Sequence, residues 1–383
     1  MERRRSRPRI ADVAREAGVS KTAVSFAFNS PERLAAETAV RIREVAGALG
    51  YRPNPVARQL RQRRTMTLGV LTPQALGVMF SNPFFALFSE GVAQAAEEVG
   101  YGLHFISPLH GSLALALGRS TVDGVVAIGL SADHPEVEQV RGAGLPMVLV
   151  DSDDLPGHSS IVVDDEAGAR AAAVHVIDQG HREVLVIAVE GPAPAGGDGV
   201  GADAADGHES SPGEGVTARR LRGYRAAFAA AGLELPAERV VAGRASIEGG
   251  ASAFQRAWAL GRRPTAVLAM SDAMAIGAMR TAREVGLRIP DDLSVVGFDD
   301  IDLAAHVDPP LTTVHQPIRQ KGADAVRLLL AEVEQRADHR PRRLRLETRL
   351  TVRESTGPAP SARRSSPQSP QSPQSPPKAR PTG

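Results

Sequence analysis

The sequence predicts an α/β protein in two parts: a small all-α head over residues 8–52, and a larger body of parallel sheets arranged as two lobes. Three observations predict it. Helical periodicity alone runs through the first 64 residues. Beyond them, short β-branched runs alternate with Ala-rich helical stretches, the pattern of parallel α/β sheets. Charge divides the same way: residues 1–64 hold 15 Lys or Arg against 6 Asp or Glu, and the remainder holds 30 against 38. The near-zero net charge of +1 therefore hides a basic head on an acidic body, and a head of that charge suits a polyanion.

In the head, Ile10, Val13, Ala14 and Ala17 fall on one face of a first helix. Gly18 breaks it and Ser20 caps a second helix, in which Ala23, Val24, Ala27 and Phe28 share the inner face. Lys21, Thr22, Ser25, Phe26 and Asn29 point outward. A third helix, about Ala36 to Leu49, is expected to bury Val40, Val45 and Leu49. Two short helices across a Gly turn make a helix-turn-helix, whose second helix fits a major groove. The same topology also serves as a plain helical bundle; the concentrated positive charge favours DNA.

The body falls into two zones, 65–190 and 217–355. Strands are predicted at Leu68–Leu71, Leu103–Ile106, Gly124–Ile128 and Pro146–Val150, then at Val184–Val189, Arg239–Val241, Ala266–Ala269 and Ser294–Gly297. Helical stretches include Phe84–Val99, Glu166–Gln179, Ala218–Ala231 and Asp272–Val285. Two tandem halves of similar length imply a cleft lined by loops at the carboxyl ends of the strands, where open parallel sheets bind ligands. Residues 191–215 read as a Gly/Ala/Pro/Asp-rich insertion, and 356–383 as a disordered Ser-Pro-Gln tail.

Several function classes drop out. With no Cys, disulfide scaffolds, thiolate metal sites and Cys nucleophiles are excluded. No apolar run is long enough to span a membrane, and the Arg-rich start has no apolar stretch behind it, so no secretory signal is read and a cytoplasmic location is expected. There is no Gly-x-Ser-x-Gly elbow, no His-Glu-x-x-His and no metal-ligand spacing among the His residues, so neither catalytic residues, nor a metal, nor a cofactor is expected. Lys occurs only at Lys21, Lys321 and Lys378 among 45 basic residues, a compositional bias toward Arg.

Longer motifs carry a family resemblance. Ala11-Asp-Val-Ala-Arg-Glu-Ala-Gly-Val-Ser20, Thr22-Ala-Val-Ser25, Glu37-Thr-Ala-Val-Arg-Ile42 and Gly50-Tyr-Arg-Pro-Asn54 resemble the LacI/GalR (lactose-repressor) family of transcriptional regulators. The likeness continues through Val122-Asp-Gly-Val-Val126, Gly180-His-Arg182, Val295-Val-Gly-Phe-Asp-Asp300 and Leu311-Thr-Thr-Val-His-Gln-Pro317, covering about residues 8–355. The resemblance implies a hinge helix and linker at 53–64 and a periplasmic-binding-protein-like, two-lobed effector-binding and dimerisation domain at 65–355. It implies a repressor that reads a pseudo-palindromic double-stranded DNA operator as a homodimer or higher oligomer, under control of a small effector such as a sugar or related metabolite.

Residue by residue, the resemblance places Lys21, Thr22, Ser25, Phe26 and Asn29 toward DNA, with Leu60 as a minor-groove wedge and Arg58 and Arg61 in the basic hinge beside it. Many members carry Arg at the position of Phe26, which offers only apolar contact with a base or packs onto its own bundle. In the cleft it places Phe84, Phe85, Asp151, Arg220, Ser271, Asp272 and Asp299 at the effector. Phe85 reads equally as core, Asp272 as a helix cap, and Asp151 as a turn cap. The segment Gly243-Arg-Ala245 lacks the aromatic that many members have there.

Overall fold

The computed structural model describes residues 8–52, 64–130, 134–152, 155–190, 215–334 and 340–360. The hinge residues Arg58, Leu60 and Arg61, the insertion through residue 214 and the tail from residue 361 lie outside the described residues. The chain divides into two compact units, Met1–Met66 and Thr67–Gly383.

The first unit holds α1 (Ile10–Glu16), α2 (Lys21–Asn29) and α3 (Ala36–Leu49). Gly18, at φ +67, supplies the left-handed step between α1 and α2 that an L side chain resists. The Ser20 hydroxyl then accepts from Ala23 N at 3.1 Å, as expected of a helix cap. Val13, Val24 and Ile42 are fully buried at the centre, and Ala14, Ala17, Ala27, Ala39 and Ala46 let the three helices close around them. The face of α3 differs from the expected one. Ala39, Ile42 and Ala46 turn inward, Val45 is only partly buried, and Val40 is 51% exposed. Ile42, the bulkiest inward residue, sets the helical phase; side-chain size alone pointed to the wrong stripe.

The second unit contains two six-stranded sheets among the described residues. One comprises β1 (Thr67–Leu71), β2 (Gly102–Ile106), β3 (Gly124–Ile128), β4 (Met147–Val150), β5 (Ser159–Val163) and β11 (Arg343–Leu346), all parallel, in the order β11-β5-β4-β3-β1-β2. The other comprises β6 (Val184–Val189), β7 (Val240–Gly243), β8 (Ala266–Ala269), β9 (Ser294–Asp299), β10 (Thr312–His315) and the antiparallel β12 (Arg349–Thr351), in the order β12-β10-β9-β8-β6-β7. The first five strands of each sheet thus follow one order, 2-1-3-4-5, twice. The eight predicted strands are present: β3, β6 and β8 have the expected bounds, and the other five have shifted ends. Of those missed, β10, β11 and β12 carry Thr-Thr or alternating Arg-Leu instead of apolar runs, and β5 sets Ser159-Ser160 before a run of three apolar residues.

The lobes are not the two contiguous zones expected. The chain crosses between sheets three times, after β5, after β10 and between β11 and β12. Consequently α8 (Asp165–Asp178) packs with α9 (Val216–Ala230) in the second lobe, while α12 (Ile318–Glu334) packs on α5 (Pro83–Glu98) and the first sheet. A linear pattern cannot reveal such crossings, because each connecting segment looks like an ordinary loop. Gly91 and Gly322 meet where α5 and α12 cross: a β-carbon at either would run into the backbone of the other helix. Residues 356–360 also depart from the expected tail. Gly357 bonds Ser294 and His181, and Ala359 is buried with its N–H on Gln179 O.

Candidate DNA-reading helix and interlobe cleft

On the first unit, α2 exposes Lys21 and Thr22 at its first turn, while Ser25, Phe26 and Asn29 are half-buried along its outer side. The Asn29 amide donates to Ser25 O at 2.8 Å and reaches Ser25 Oγ at 3.3 Å, so its carbonyl oxygen is the part left to face outward. The Arg33 guanidinium lies 5.4 Å from the centroid of the Phe26 ring. Phe26 is therefore held from the side by a cation, between the two alternatives of base contact and burial in the bundle. Arg43 Nε donates to Ala27 O at 3.1 Å, tying α3 to the end of α2.

In the second unit, the strand ends bring several candidates together. Asp151 follows β4 with φ +49, and Asp299 ends β9 with φ +123, both uncommon for non-Gly residues and characteristic of strained functional turns. Arg220, on α9, is buried with its guanidinium 3.5 Å from the Phe298 ring centroid. Its Nε donates to Asp165 Oδ1 at 2.8 Å, Nη1 donates to Met270 O, and Nη2 lies 4.0 Å from Asp299 Oδ1. Arg219 Nε donates to the other oxygen of Asp165 at 3.0 Å. Burial alone lowers the affinity of Arg220 for its proton, but Asp165 and Asp299 outweigh it and hold the guanidinium charged. Burial pushes the Asp299 carboxyl up to about 7 against the opposing pull of Arg220.

A chain of polar contacts continues across the cleft. Gln316, in the crossing between β10 and α12, donates from Nε2 to Asp299 Oδ1 at 2.6 Å. Its Oε1 accepts from Lys321 Nζ at 2.6 Å, and Lys321 Nζ also donates to Asp151 Oδ2 at 2.6 Å. Lys321 is fully buried, with Nζ 5.3 Å from the centroid of the Phe84 ring. Phe84 is half-buried at the start of α5, where Asn82 Oδ1 accepts its N–H at 3.0 Å; its ring is stacked on Phe88 and edge-on to Phe85. Phe85 is buried to 9% exposure.

Phe84, Asp151, Arg220 and Asp299 thus belong to one connected constellation. Ser271 and Asp272 stand apart from it. Ser271 Oγ caps α11 (Asp272–Glu284) by accepting from Met274 N at 3.3 Å. Asp272 is fully buried, with Oδ1 taken by the Thr313 hydroxyl and Oδ2 by Ile301 N at 2.9 Å; burial, then the nearby Asp299, push its carboxyl well up. Both its oxygens already have protein donors, the geometry of a structural cap.

Asp165, Gln316 and Lys321 complete the constellation and escaped the sequence reading. Lys321 is the one lysine between residues 22 and 377, a position where a lone ammonium among arginines was the available signal. The Thr217 hydroxyl donates to Val189 O at 3.3 Å, so the chain leaves β6 and returns to α9 at one place, on either side of the insertion. Gly243 ends β7, Arg244 after it is exposed, and Ala245, which stands where many members have an aromatic, is half-buried. Among the described residues no cluster of three or more His, Asp or Glu is placed to hold a metal, and no helix is long and apolar enough to cross a membrane.

The chain compares with known proteins at both units. Residues 9–54 match the lacI family of bacterial regulatory proteins, and residues 173–356 match the periplasmic binding protein-like domain. The HTH-type transcriptional repressor PurR of Photobacterium profundum is 32% identical over 90% of this chain and 98% of its own length. The HTH-type transcriptional regulator CelR of Thermobifida fusca is 34% identical over 93% of this chain and 100% of its own. Among solved structures, a CelR–cellobiose complex aligns with TM-score 0.64 and 31% identity over 91% of this chain and 100% of its own. A lac repressor dimer bound to operator and the anti-inducer ONPF aligns with TM-score 0.74 and 25% identity over 92% and 100%. A helix-turn-helix head, a two-lobed parallel α/β body and relatives of this coverage agree: the chain belongs to the lacI family of bacterial regulatory proteins and is a DNA-binding transcriptional regulator.

Proposed function

We propose that the chain is a cytoplasmic, homodimeric repressor whose affinity for a pseudo-palindromic operator is set by a small hydroxyl-rich effector held between the lobes. The observation that carries the reading is the constellation of Asp151 and Asp299 at strand ends of the two sheets with Phe84 and Arg220 on the helices beside them, in a chain that also exposes Lys21 and Thr22 on a helix-turn-helix. Carboxylates at strand ends and a guanidinium beside them pair with vicinal hydroxyls, and an aromatic face covers the apolar side of a sugar ring. A relative solved with cellobiose supports that ligand class. Phe85, Ser271 and Asp272 complete the site from behind, through packing and the fixed start of α11.

On DNA, Lys21, Thr22 and Phe26 meet base edges, Ser25 and Asn29 position the backbone, and a hinge carrying Arg58, Leu60 and Arg61 folds into the minor groove with its dimer mate. Hinge helices this short fold only with a partner. Effector binding moves the lobes, alters the dimer contacts and shifts the folding of the paired hinges. The coupling is reciprocal, and a 100-fold change in operator affinity needs about 2.7 kcal/mol of differential binding. The task is binding, with no turnover of the effector.

Selection of bound duplexes from a random pool tests this directly. The expected winner is a pseudo-palindrome whose affinity falls steeply with salt, as counterions are released from phosphates. Leu60→Ala is expected to weaken binding to that duplex by at least tenfold and leave cleft ligands unaffected. No enrichment, or a salt-independent Kd, overturns the DNA reading; an unchanged Kd in the Leu60 variant overturns the wedge.

A further inference from the structure

The contacts around Lys321 run between elements that move with different lobes. α12 packs on α5 and the first sheet, so Lys321 travels with the first lobe, as does Asp151 at the end of β4. Asp299 ends β9 and travels with the second. Gln316 sits in the crossing itself and holds both sides: its amide nitrogen is on Asp299 and its amide oxygen on Lys321. An uncharged primary amide presents a donor nitrogen and an acceptor oxygen on one carbon, which suits a carboxylate on one side and an ammonium on the other.

Burial gives this bridge its strength. Lys321 is fully buried, Gln316 is 2% exposed and Asp299 is 4% exposed, so water does not compete for these contacts. A buried ammonium without a partner is strongly disfavoured, and Lys321 finds two oxygens and an aromatic face. The bridge uses one oxygen of Asp151; Oδ1 of the same carboxyl is buried without a donor in the protein. The arrangement fixes the first-lobe carboxylate through Oδ2 and leaves its Oδ1 buried and without a donor.

We propose that Gln316 and Lys321 are positioning residues of the effector cleft: they tie the strand-end carboxylates of the two lobes to each other through the hinge and so fix the lobe-to-lobe geometry the effector meets. The proposal rests on the cleft being the effector site, but the bridge itself is a property of the protein alone. A ligand that engages Asp151 or Asp299 competes with Gln316 and Lys321 for the same oxygens, which couples occupancy of the cleft to the crossing between β10 and α12. Replacing either bridge residue releases the two lobes from one another without removing any group proposed to touch the effector.

The test measures the distance between lobes in the full-length chain. Because the protein has no Cys, residues replaced by Cys at Glu138 on α7 (Val137–Gly142) of the first lobe and at Leu260 of the second are the only thiols available for spin labels. Labelled chains diluted with unlabelled ones give the intrachain distance by pulsed electron resonance. The expected result is one narrow distance population for the parent, broadened and shifted in Gln316→Ala and Lys321→Met. Gln316→Glu keeps the acceptor for Lys321 but sets a carboxylate against Asp299, and is expected to shift the distance furthest. Glu347→Ala, an exposed change in the crossing between β11 and β12, is expected to match the parent.

Parent-like distributions in the Ala and Met variants overturn the bridge, and so does equal broadening in Glu347→Ala, which would make any hinge change sufficient. If either variant fails to fold, the nearly isosteric Gln316→Glu decides: a parent-like distance overturns the proposal and a shifted one sustains it. Failure of the effector reading shows elsewhere, as unchanged ligand binding in Asp299→Ala, and leaves these distances as they are.

Discussion

The first lobe turns out of β4 at Asp151 and the second turns out of β9 at Asp299, each the fourth strand of the same 2-1-3-4-5 order and each at positive φ. The two carboxylates occupy equivalent places in repeated folds, yet their surroundings differ. Asp299 is flanked by Gln316 and Arg220, both at Oδ1, and the guanidinium beside it is itself anchored by Asp165 and Met270. Asp151 is held by a single ammonium, that of Lys321 on Oδ2, and its Oδ1 is buried without a donor. The comparison teaches that one backbone frame presents a carboxylate backed by an anchored guanidinium in the second lobe and a carboxylate held by one ammonium, with a buried undonated oxygen, in the first. Preorganised groups lose little freedom when a ligand arrives, so the second lobe supplies the rigid half of the site.

The sharpest way to break that contrast is to empty each wall in turn. Arg220→Ala leaves Asp165 and Asp299 buried with their main counter-charge gone, a change that costs about 3–5 kcal/mol where a buried pair is severed. Asp151→Ala removes the half-held carboxylate and leaves Lys321 with Gln316, so a smaller loss of stability is expected. Both should abolish retention of any sugar that shifts the melting temperature of the parent. Equal destabilisation in thermal unfolding would show that the walls are equally preassembled, against the reading above.

Asp272 sharpens the contrast from inside the second lobe. Its oxygens serve Thr313 and Ile301 N, so Asp272→Ala is expected to cost about 1–3 kcal/mol through two stranded buried donors while leaving ligand affinity within about twofold. Asp299→Ala should do more to ligand affinity than to stability. Calorimetric titration with the same sugar, beside denaturant unfolding, separates the two; a large loss of affinity in the Asp272 variant would place that carboxyl in the cleft after all.

Much of this was legible in the sequence, and the reasons differ by region. Strands that are buried on both faces, such as β3 and β8, announce themselves as continuous apolar runs. Edge and crossing strands do not: Arg343-Leu-Arg-Leu346 shows only a four-residue alternation, and Thr312-Thr313 looks polar until it is seen beside Ser355 and Asp272. In the head, Ser20 and Gly18 were readable because a cap and a left-handed turn depend on one residue each. The burial of Val40 was misjudged because a helix face is set by the register of the whole stripe. The site divides similarly. Arg220 and Asp299 lie in motifs, whereas Asp165, Gln316 and Lys321 are joined to them only by the fold, across sequence separations that no local pattern records.

The smallest expected effect concerns protons. Burial pushes Asp299 up to about 7, far above the value of 3.8 that an ordinary aspartate has in an open chain. The folded protein therefore holds this proton more tightly than the unfolded chain. The stabilisation this provides is complete below the unfolded value and drains away as pH rises through about 7. Asp272, also raised by burial, acts in the same direction, and the charge of Arg220 limits how far Asp299 can go. The melting temperature of the parent should fall between about pH 4 and pH 7 from Asp299, and Asp272 adds to the fall in the same direction. Asp299→Asn keeps an oxygen for the Gln316 amide and cannot titrate, so its profile over that window should be flatter, with its largest gain over the parent at the alkaline end. Parallel profiles would mean that Asp299 feels the solvent as an exposed carboxylate does, and the second-lobe carboxylate would then not be sheltered by the groups around it.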